Sequence, residues 1–283
     1  MAIGDFTRIY TNIAAYNSLS ALKVINKNLA KIQLQLATGL RINEVADDPA
    51  GFTISQRLYA RTRGLSAALE NIGTAKNVLS VAEGGLQNIS DILLTMKEKV
   101  TQAASDTLSS VERNAIKKEV HQLTQEIDDI VKETTFNNRK LINGTYIGIS
   151  FQTGEQPTNT LRVNLSQSVE AESLNVASST VAQKVLTATG ASVALENVNR
   201  AIGTVTSVLQ EVGAISSRLS VKESTVETAI VNTESTRSRI RDADMARLQL
   251  EATKLQILQS TATNALVNSN LLPVIVLSLF RVR

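Results

Sequence analysis

The side chains with a capacity for chemistry are few and scattered. Two acidic pairs stand out, Asp47-Asp48 and Asp242 with Asp244. Close carboxylates can share a proton or hold a cation, which is the chemistry of acid–base and metal-assisted hydrolysis. Both pairs lack the partner that such chemistry needs. The chain has one histidine, His121, and no cysteine, so nothing completes a metal set or activates a nucleophile. No His-Glu-x-x-His sequence occurs. No catalytic, cofactor-binding or metal-ligating residue is assigned, no cofactor is expected, and the chain reads as a non-enzyme. Capping and linker contacts account better for the acidic pairs, because Asp48 directly precedes Pro49, an N-cap followed by a proline suited to a first helical turn.

Composition narrows the class further. The 283 residues suffice for one large or two small domains, and the net charge is +3. Residues 1–45 carry net +3 and residues 241–283 net +2, leaving −2 for the middle. Nucleic-acid binding would want clustered Arg and Lys with stacking aromatics, and neither is present, so solvated helix faces explain the charge. Aromatics are 3% and tryptophan is absent, whereas small and branched aliphatics suit narrow helix-on-helix seams. Three prolines permit long unbroken helices. No run of eighteen apolar residues predicts a membrane span, and Met1 to Tyr10 lacks the apolar stretch of a cleaved signal peptide.

The element that must organise the rest runs from Ile54 to Ala103. Stepping by alternating fours and threes through Ile54, Leu58, Arg61 and Leu65 to Val100 and Ala103, only Arg61 is not apolar. This seven-residue repeat predicts one long helix with a narrow seam. At 1.5 Å per residue it would be roughly 75 Å long, so the expected protein is elongated. Before it, residues 1–37 read as a helix with the seam Leu22, Ile25, Leu29, Ile32 and Leu36, flanked by Lys23, Lys27 and Lys31. Gly39 is a plausible helix stop. A short linker, residues 41–48, then leads to the cap Asp48 and Pro49.

The long helix is expected to fray near Ser105 to Ser110, with Ser110 capping a third helix whose seam is Ile116, Val120, Leu123, Ile127 and Ile130. His121 lies beside that seam as a surface or packing residue. From Phe136 the pattern changes. Tyr146, Ile147, Ile149 and Phe151 predict one strand, and Leu161, Val163 and Leu165 a second, joined by a turn from Gln152 to Asn159. Ser166 to Gly190 is weakly patterned and reads as loop, short helix or the stump of a missing domain. A long helix returns with the seam Leu195, Val198, Ile202, Val205, Leu209, Val212, Leu219, Val226, Ile230 and Ile240. The register slips around 241–247. A last helix shows Leu255, Leu258, Ala262, Ala265 and Leu272, is interrupted by Pro273, and leaves Leu271 to Phe280 as an apolar tail.

The fold class expected is mainly α: an elongated antiparallel helical bundle or coiled coil with a small β-hairpin region at about 136–190. The terminal segments 1–40 and 248–283 flank a rod of residues 49–240. Neither terminal helix has much core of its own. Burial of both seams against other copies, in a helical homopolymer whose terminal helices fold and pack on assembly, is the economical solution.

Several stretches resemble a known family. Gly39-Leu40-Arg41-Ile42-Asn43 followed by Asp47-Asp48-Pro49-Ala50-Gly51 is similar to the amino-terminal signature of bacterial flagellin, as are Ala82-Glu83-Gly84-Gly85-Leu86 and Phe136-Asn137-Asn138. Ser238-Arg239-Ile240-Arg241-Asp242-Ala243-Asp244-Met245-Ala246 and Gln256-Ile257-Leu258-Gln259 resemble its carboxyl-terminal signature. Signatures at both ends cover essentially the whole chain. Periodicity offers no reason for Gly84-Gly85, since each glycine costs about 1 kcal/mol inside a helix.

The resemblance implies an extracellular motility filament of self-assembled subunits, exported by the flagellar type III apparatus. It implies a secretion chaperone on the C-terminal helix, a filament cap and hook–filament junction proteins as partners. It also implies an inner domain of the two terminal helices and the absence here of variable outer domains. A hook–filament junction protein of the same export system is the alternative reading. Toll-like receptor recognition in the family uses a Gln-Arg-Val-Arg-Glu-Leu stretch and a later glutamate. The aligned stretch is Leu94-Thr95-Met96-Lys97-Glu98-Lys99, with Thr95 in place of an arginine and Lys99 in place of the leucine, while Glu119 matches the glutamate. Weak or absent receptor activation is expected.

Overall fold

The computed structural model describes residues 11–281. It comprises five helices and two small antiparallel strand pairs: α1 (Ile13–Thr38), α2 (Pro49–Ala103), α3 (Ser110–Glu133), β1 (Thr135–Phe136), β2 (Arg139–Lys140), β3 (Tyr146–Gln152), β4 (Thr160–Leu165), a 3-10 turn at Lys184–Leu186, α4 (Ala188–Arg241) and α5 (Met245–Arg281). Two compact units emerge among the described residues, one of residues 11–60 with 232–281, the other of residues 61–231.

In the second unit the seam of α2 is buried at every predicted position from Leu65 to Ala103. A period near 3.5 keeps one apolar line facing the same neighbours over many turns. Nearer the start of α2 the expectation fails: Ile54 and Arg61 are exposed, and Gly51 and Ser55 are buried instead. Leu58, on the predicted seam, is half-buried there.

The second unit's core joins α2 to α3, α4, the hairpin and the segment after it. On α4 half of the predicted seam stands: Val198, Val205, Val212, Leu219 and Val226 are buried. The alternate positions are Ala194, Ala201, Val208 and Ile215 rather than Leu195, Ile202 and Leu209, which lie half-buried at the flank. A seven-residue repeat can step three-then-four or four-then-three, and the apolar pattern of α4 permits both. The smaller residues take the centre.

α3 is capped by Ser109, one residue before the predicted Ser110. Its hydroxyl accepts from Glu112 N, while the Glu112 carboxylate accepts from Ser109 N at 2.7 Å. This reciprocal capping box fixes the entry to the helix. Its buried line is Ile116, Val120, Thr124, Ile127 and Val131, so Leu123 and Ile130 sit at the edge. Arg113, buried, donates to the carbonyls of Ala103 and Ser105, satisfying the C-terminal end of α2.

The predicted hairpin is β3–β4, paired Tyr146 with Leu165 and Gln152 with Thr160, with a bulge between Tyr146 and Ile149. A second hairpin, β1–β2, turns through Asn137 and Asn138, both at positive φ (48° and 60°), as a two-residue turn of this hand demands. The weakly patterned segment from Ser166 is no stump. Val169, Ala171, Leu174, Val176, Val181, Ala182 and Val185 are all buried. Three polar contacts fasten it to α3: Ala171 N to Asp128 Oδ1 at 2.9 Å, Thr124 Oγ1 to the Val176 carbonyl, and His121 Nδ1 to Ser178 Oγ at 2.6 Å.

Candidate functional site

The terminal helices α1 and α5 form the core of the first unit. Leu29 and Ile32 of α1 bury against Leu248, Ala252 and Leu255 of α5, with Ile25 and Leu36 packed at the margin. The pairing is antiparallel, since Asn12 meets Ser269 and Asn26 meets Gln259. This corrects the expectation that neighbouring copies cover both seams: Leu29, Ile32 and Leu255 cover one another within a single chain. Leu22 and Ala262 are half-buried. Leu258, 40% exposed, and Ala265 lie exposed beside the inner face. After Leu255 the inner face continues through Gln259, Ala262, Leu266, Ser269 and Pro273. Here too the sequence reading took the wrong alternate step. The side chain of Leu272 lies outside the described residues. Pro273 does not interrupt α5, which runs through it.

What α5 leaves uncovered is a second apolar line. Leu250, Ile257 and Leu271 are 74%, 63% and 51% exposed, with multiples of seven between them. Leu258, Val267 and Val274 lie nearby in sequence and are also exposed, as are Ile13, Tyr16, Val24 and Leu34 on α1. Apolar side chains recurring at that spacing on an exposed face mark a surface built to meet another helix.

The linkers at the inner ends of these helices are tied together. Gly39 closes α1 in the left-handed conformation (φ 71°), its N–H bonded to the Gln35 carbonyl. Arg41 N donates to the Arg241 carbonyl at 2.7 Å and Ala243 N to the Gly39 carbonyl at 3.0 Å. Gln35, a buried polar residue that sequence reasoning passed over, donates to the Arg41 carbonyl at 2.7 Å.

The acidic pairs are spent in this architecture. Asp48 accepts from Gly51 N at 2.9 Å, capping α2 at Pro49. Asp244 accepts from Arg247 N, capping α5. Asp47 accepts from the backbone N–H groups of Asn43 and Glu44 and pairs with Lys31 at 2.8 Å. The Lys31 ammonium first, and then the backbone donors, hold the Asp47 carboxyl below the usual value. Asp242 bridges to Leu40 through its backbone. Among the described residues no cluster of three or more His, Cys, Asp or Glu could hold a metal ion.

Two of the three residues aligned with the family's receptor-recognition site meet. Lys99 Nζ on α2 pairs with Glu119 Oε1 on α3 at 2.6 Å. Thr95, one turn earlier, is exposed and its hydroxyl bonds back to the Asp91 carbonyl.

The family model for the bacterial flagellin N-terminal helical region matches residues 9–146, and that for the C-terminal helical region matches residues 195–280. Flagellin of Bacillus subtilis is 31% identical over 304 residues, spanning 97% of this chain and 100% of the relative. Flagellin of Halalkalibacterium halodurans is 30% identical over 270 residues, spanning 95% and 98%. A solved structure described as a flagellar hook-associated protein from Vibrio parahaemolyticus superposes with a TM-score of 0.60 over 69% of this chain and 100% of that one. At 13% identity, that likeness speaks to the fold alone. Paired terminal helices, long seamed helices and relatives matched along nearly their whole length define a structural subunit of the extracellular flagellar filament. The chain belongs to the bacterial flagellin family. No helix among the described residues is long and apolar enough to cross a membrane.

Proposed function

We propose that this chain polymerises with copies of itself into a helical filament, and that the exposed apolar line of α5 and the exposed apolar side chains of α1 are the contacts that drive it. The observation that carries this reading is the exposure of Leu250, Ile257 and Leu271, seven and then fourteen residues apart with Asn264 between the last two, on the face of α5 turned away from α1. A contact between unlike faces of successive copies propagates as a helical filament when its rotation does not close into a ring. In this reading the terminal helices form the inner domain, residues 41–48 and 241–247 are its spokes, and residues 49–240 form the rod.

The chain is exported unfolded through the flagellar type III apparatus, without cleavage. Its C-terminal helix is held by a secretion chaperone until export, because the outer line of α5 is a liability in free solution. The filament cap and the hook–filament junction proteins are its other partners. The role is structural, without catalysis. Thr95 and the Lys99–Glu119 ion pair support weak or absent toll-like receptor activation, because the glutamate is already engaged.

Electron microscopy of the purified protein tests the central claim. Long tubes are expected, and removal of the last dozen residues should abolish them. Short or absent polymers from the intact chain would favour a junction protein instead.

A further inference from the structure

Asn143 is the one asparagine of the chain that a glycine follows. It stands between the two hairpins, where the chain leaves buried Ile142 and enters β3 at buried Tyr146. The fold demands the glycine. Gly144 sits at φ 78°, and a Cβ built there would lie 3.0 Å from Ser168 N and 3.1 Å from the Ser166 carbonyl oxygen. The same bare Cα leaves the amide nitrogen of Gly144 unshielded toward the side chain before it.

That side chain is folded back over the next peptide. Asn143 Oδ1 accepts from Thr145 N at 3.1 Å and from Thr145 Oγ1 at 2.7 Å. A backbone N–H can only donate, so the amide end facing Thr145 is the oxygen, and Nδ2 is turned the other way. A bond from an asparagine oxygen to the N–H two residues on closes a turn around the intervening amide. It holds Asn143 Cγ on the same side as Gly144 N. Asn143 and Gly144 are half-buried and Thr145 is exposed, so water reaches the turn. The strand bridge from Asn143 to Ser168 is isolated, with Val169 N on the Ile142 carbonyl at 3.1 Å. A single pair opens without unzipping a ladder.

We propose that Asn143 is a site of spontaneous deamidation, with Thr145 supplying the donors that stabilise the developing oxyanion. Hydroxide takes the proton of Gly144 N, and that nitrogen attacks Asn143 Cγ. Negative charge develops on Oδ1, where the Thr145 N–H and hydroxyl already point, and both bonds strengthen as it forms. The Cγ–Nδ2 bond then breaks. Nδ2 takes a proton from water, which regenerates hydroxide, and leaves as ammonia. A cyclic imide remains, and water opens either of its carbonyls to give an aspartyl or an isoaspartyl residue at position 143. Nothing is oxidised or reduced. The aspartyl product adds a negative charge and keeps an acceptor for Thr145. The isoaspartyl product adds a methylene to the backbone, which the bridge to Ser168 and the Ile142–Val169 bond cannot follow. The segment carrying buried Val169, Ala171 and Leu174 then loses its first anchor. Each subunit so carries a mark of its age, set by time rather than by an enzyme.

Peptide mapping by mass spectrometry of the full-length protein, held at neutral pH and sampled over weeks, is the measurement. Conversion of amide to acid should appear at Asn143 ahead of Asn137 and Asn164 in the same region. Thr145 is exposed, so substitutions there leave the core untouched. Thr145→Val removes the hydroxyl and should slow conversion at Asn143 by about fivefold, the factor carried by one net hydrogen bond. Thr145→Ser keeps a hydroxyl and should stay within about twofold of the unaltered chain. In urea, where the turn is not held, the two variants should differ by less than about twofold. Conversion at Asn143 no faster than at Asn137 or Asn164 would overturn the proposal. So would equal rates in the two folded variants, or the same difference between them in urea.

Discussion

Gly85 of α2 lies directly against Thr134, the residue that ends α3. A Cβ built on Gly85 would come within 2.5 Å of Thr134 Oγ1 and 2.9 Å of its methyl group. The hydroxyl itself is tied to the Ile130 carbonyl at 2.7 Å and so is not free to retreat. Gly84, one residue earlier, meets nothing within 4 Å. The adjacent glycines thus have opposite standing: one lets two helices approach, the other only loosens a helix.

Opposite substitution effects follow. Gly84→Ala should raise the unfolding free energy by about 1 kcal/mol through helix propensity alone. Gly85→Ala gains the same propensity but must push Thr134 aside, and should lose about 1–3 kcal/mol from overpacking. Urea denaturation of the two variants beside the unaltered chain checks the pair. Equal shifts would remove the role given to Thr134.

Charge placed on the inner and outer faces of α5 should act differently. Leu255→Asp puts a carboxylate among Leu29, Ile32 and Leu248, forfeiting about 2 kcal/mol of burial before any charge penalty. Increased hydrogen exchange throughout α1 and α5 is expected in the monomer. Ile257→Asp, on the exposed line, should leave monomer exchange unchanged while filament yield, read by sedimentation, falls to background. A filament yield untouched by Ile257→Asp would exclude that face as a contact.

Acid should loosen the first linker through Asp47. The folded Asp47 carboxyl is lowered from 3.8 by Lys31 and by backbone donors, so its stabilising contribution is fully present above about that value. It is lost as pH falls through the lowered folded value. Glu112, lowered by the Ser109 backbone and hydroxyl, behaves with the same sign at the start of α3. Asp47→Asn should flatten the acid limb for residues 39–48, as read by exchange or NMR shifts between pH 5 and 2. An unaltered acid limb in that variant would remove Asp47 from the account.

The receptor expectation can be tested by restoring the missing side chains. Lys99→Leu removes the ion pair to Glu119, and Thr95→Arg replaces an exposed hydroxyl with a guanidinium. The parent chain should give a weak reporter-cell response and the double variant a stronger one. A strong response from the parent would refute the proposal.

What was legible in the sequence was whatever repeats or punctuates. The α2 seam from Leu65 onward, the stop at Gly39, the cap at Asp48 and the β3–β4 alternation all announce themselves within a dozen residues. The misplaced positions share one cause. On α4 and α5 the repeat allows a three-step or a four-step from the same residue, and only the facing helix decides that Val208 rather than Leu209, or Leu266 rather than Ala265, turns inward. Contacts between segments far apart in the chain leave no local trace. Nothing around Ser166–Thr187 signals that Asp128 and Thr124 will hold it down, nor does Gly85 name Thr134.

The Asn12–Ser269 bond joins positions 257 residues apart. Contacts of such separation are the slowest a polypeptide makes, since nearly the whole chain must be present and its loop closed before they are rewarded. A ribosome releases the first helix long before its partner exists, and a narrow conduit that passes the chain end-first imposes the same wait. During that interval Leu29 and Ile32 have no apolar neighbour of their own. The oldest segment of each newly made molecule is therefore the last to come to rest.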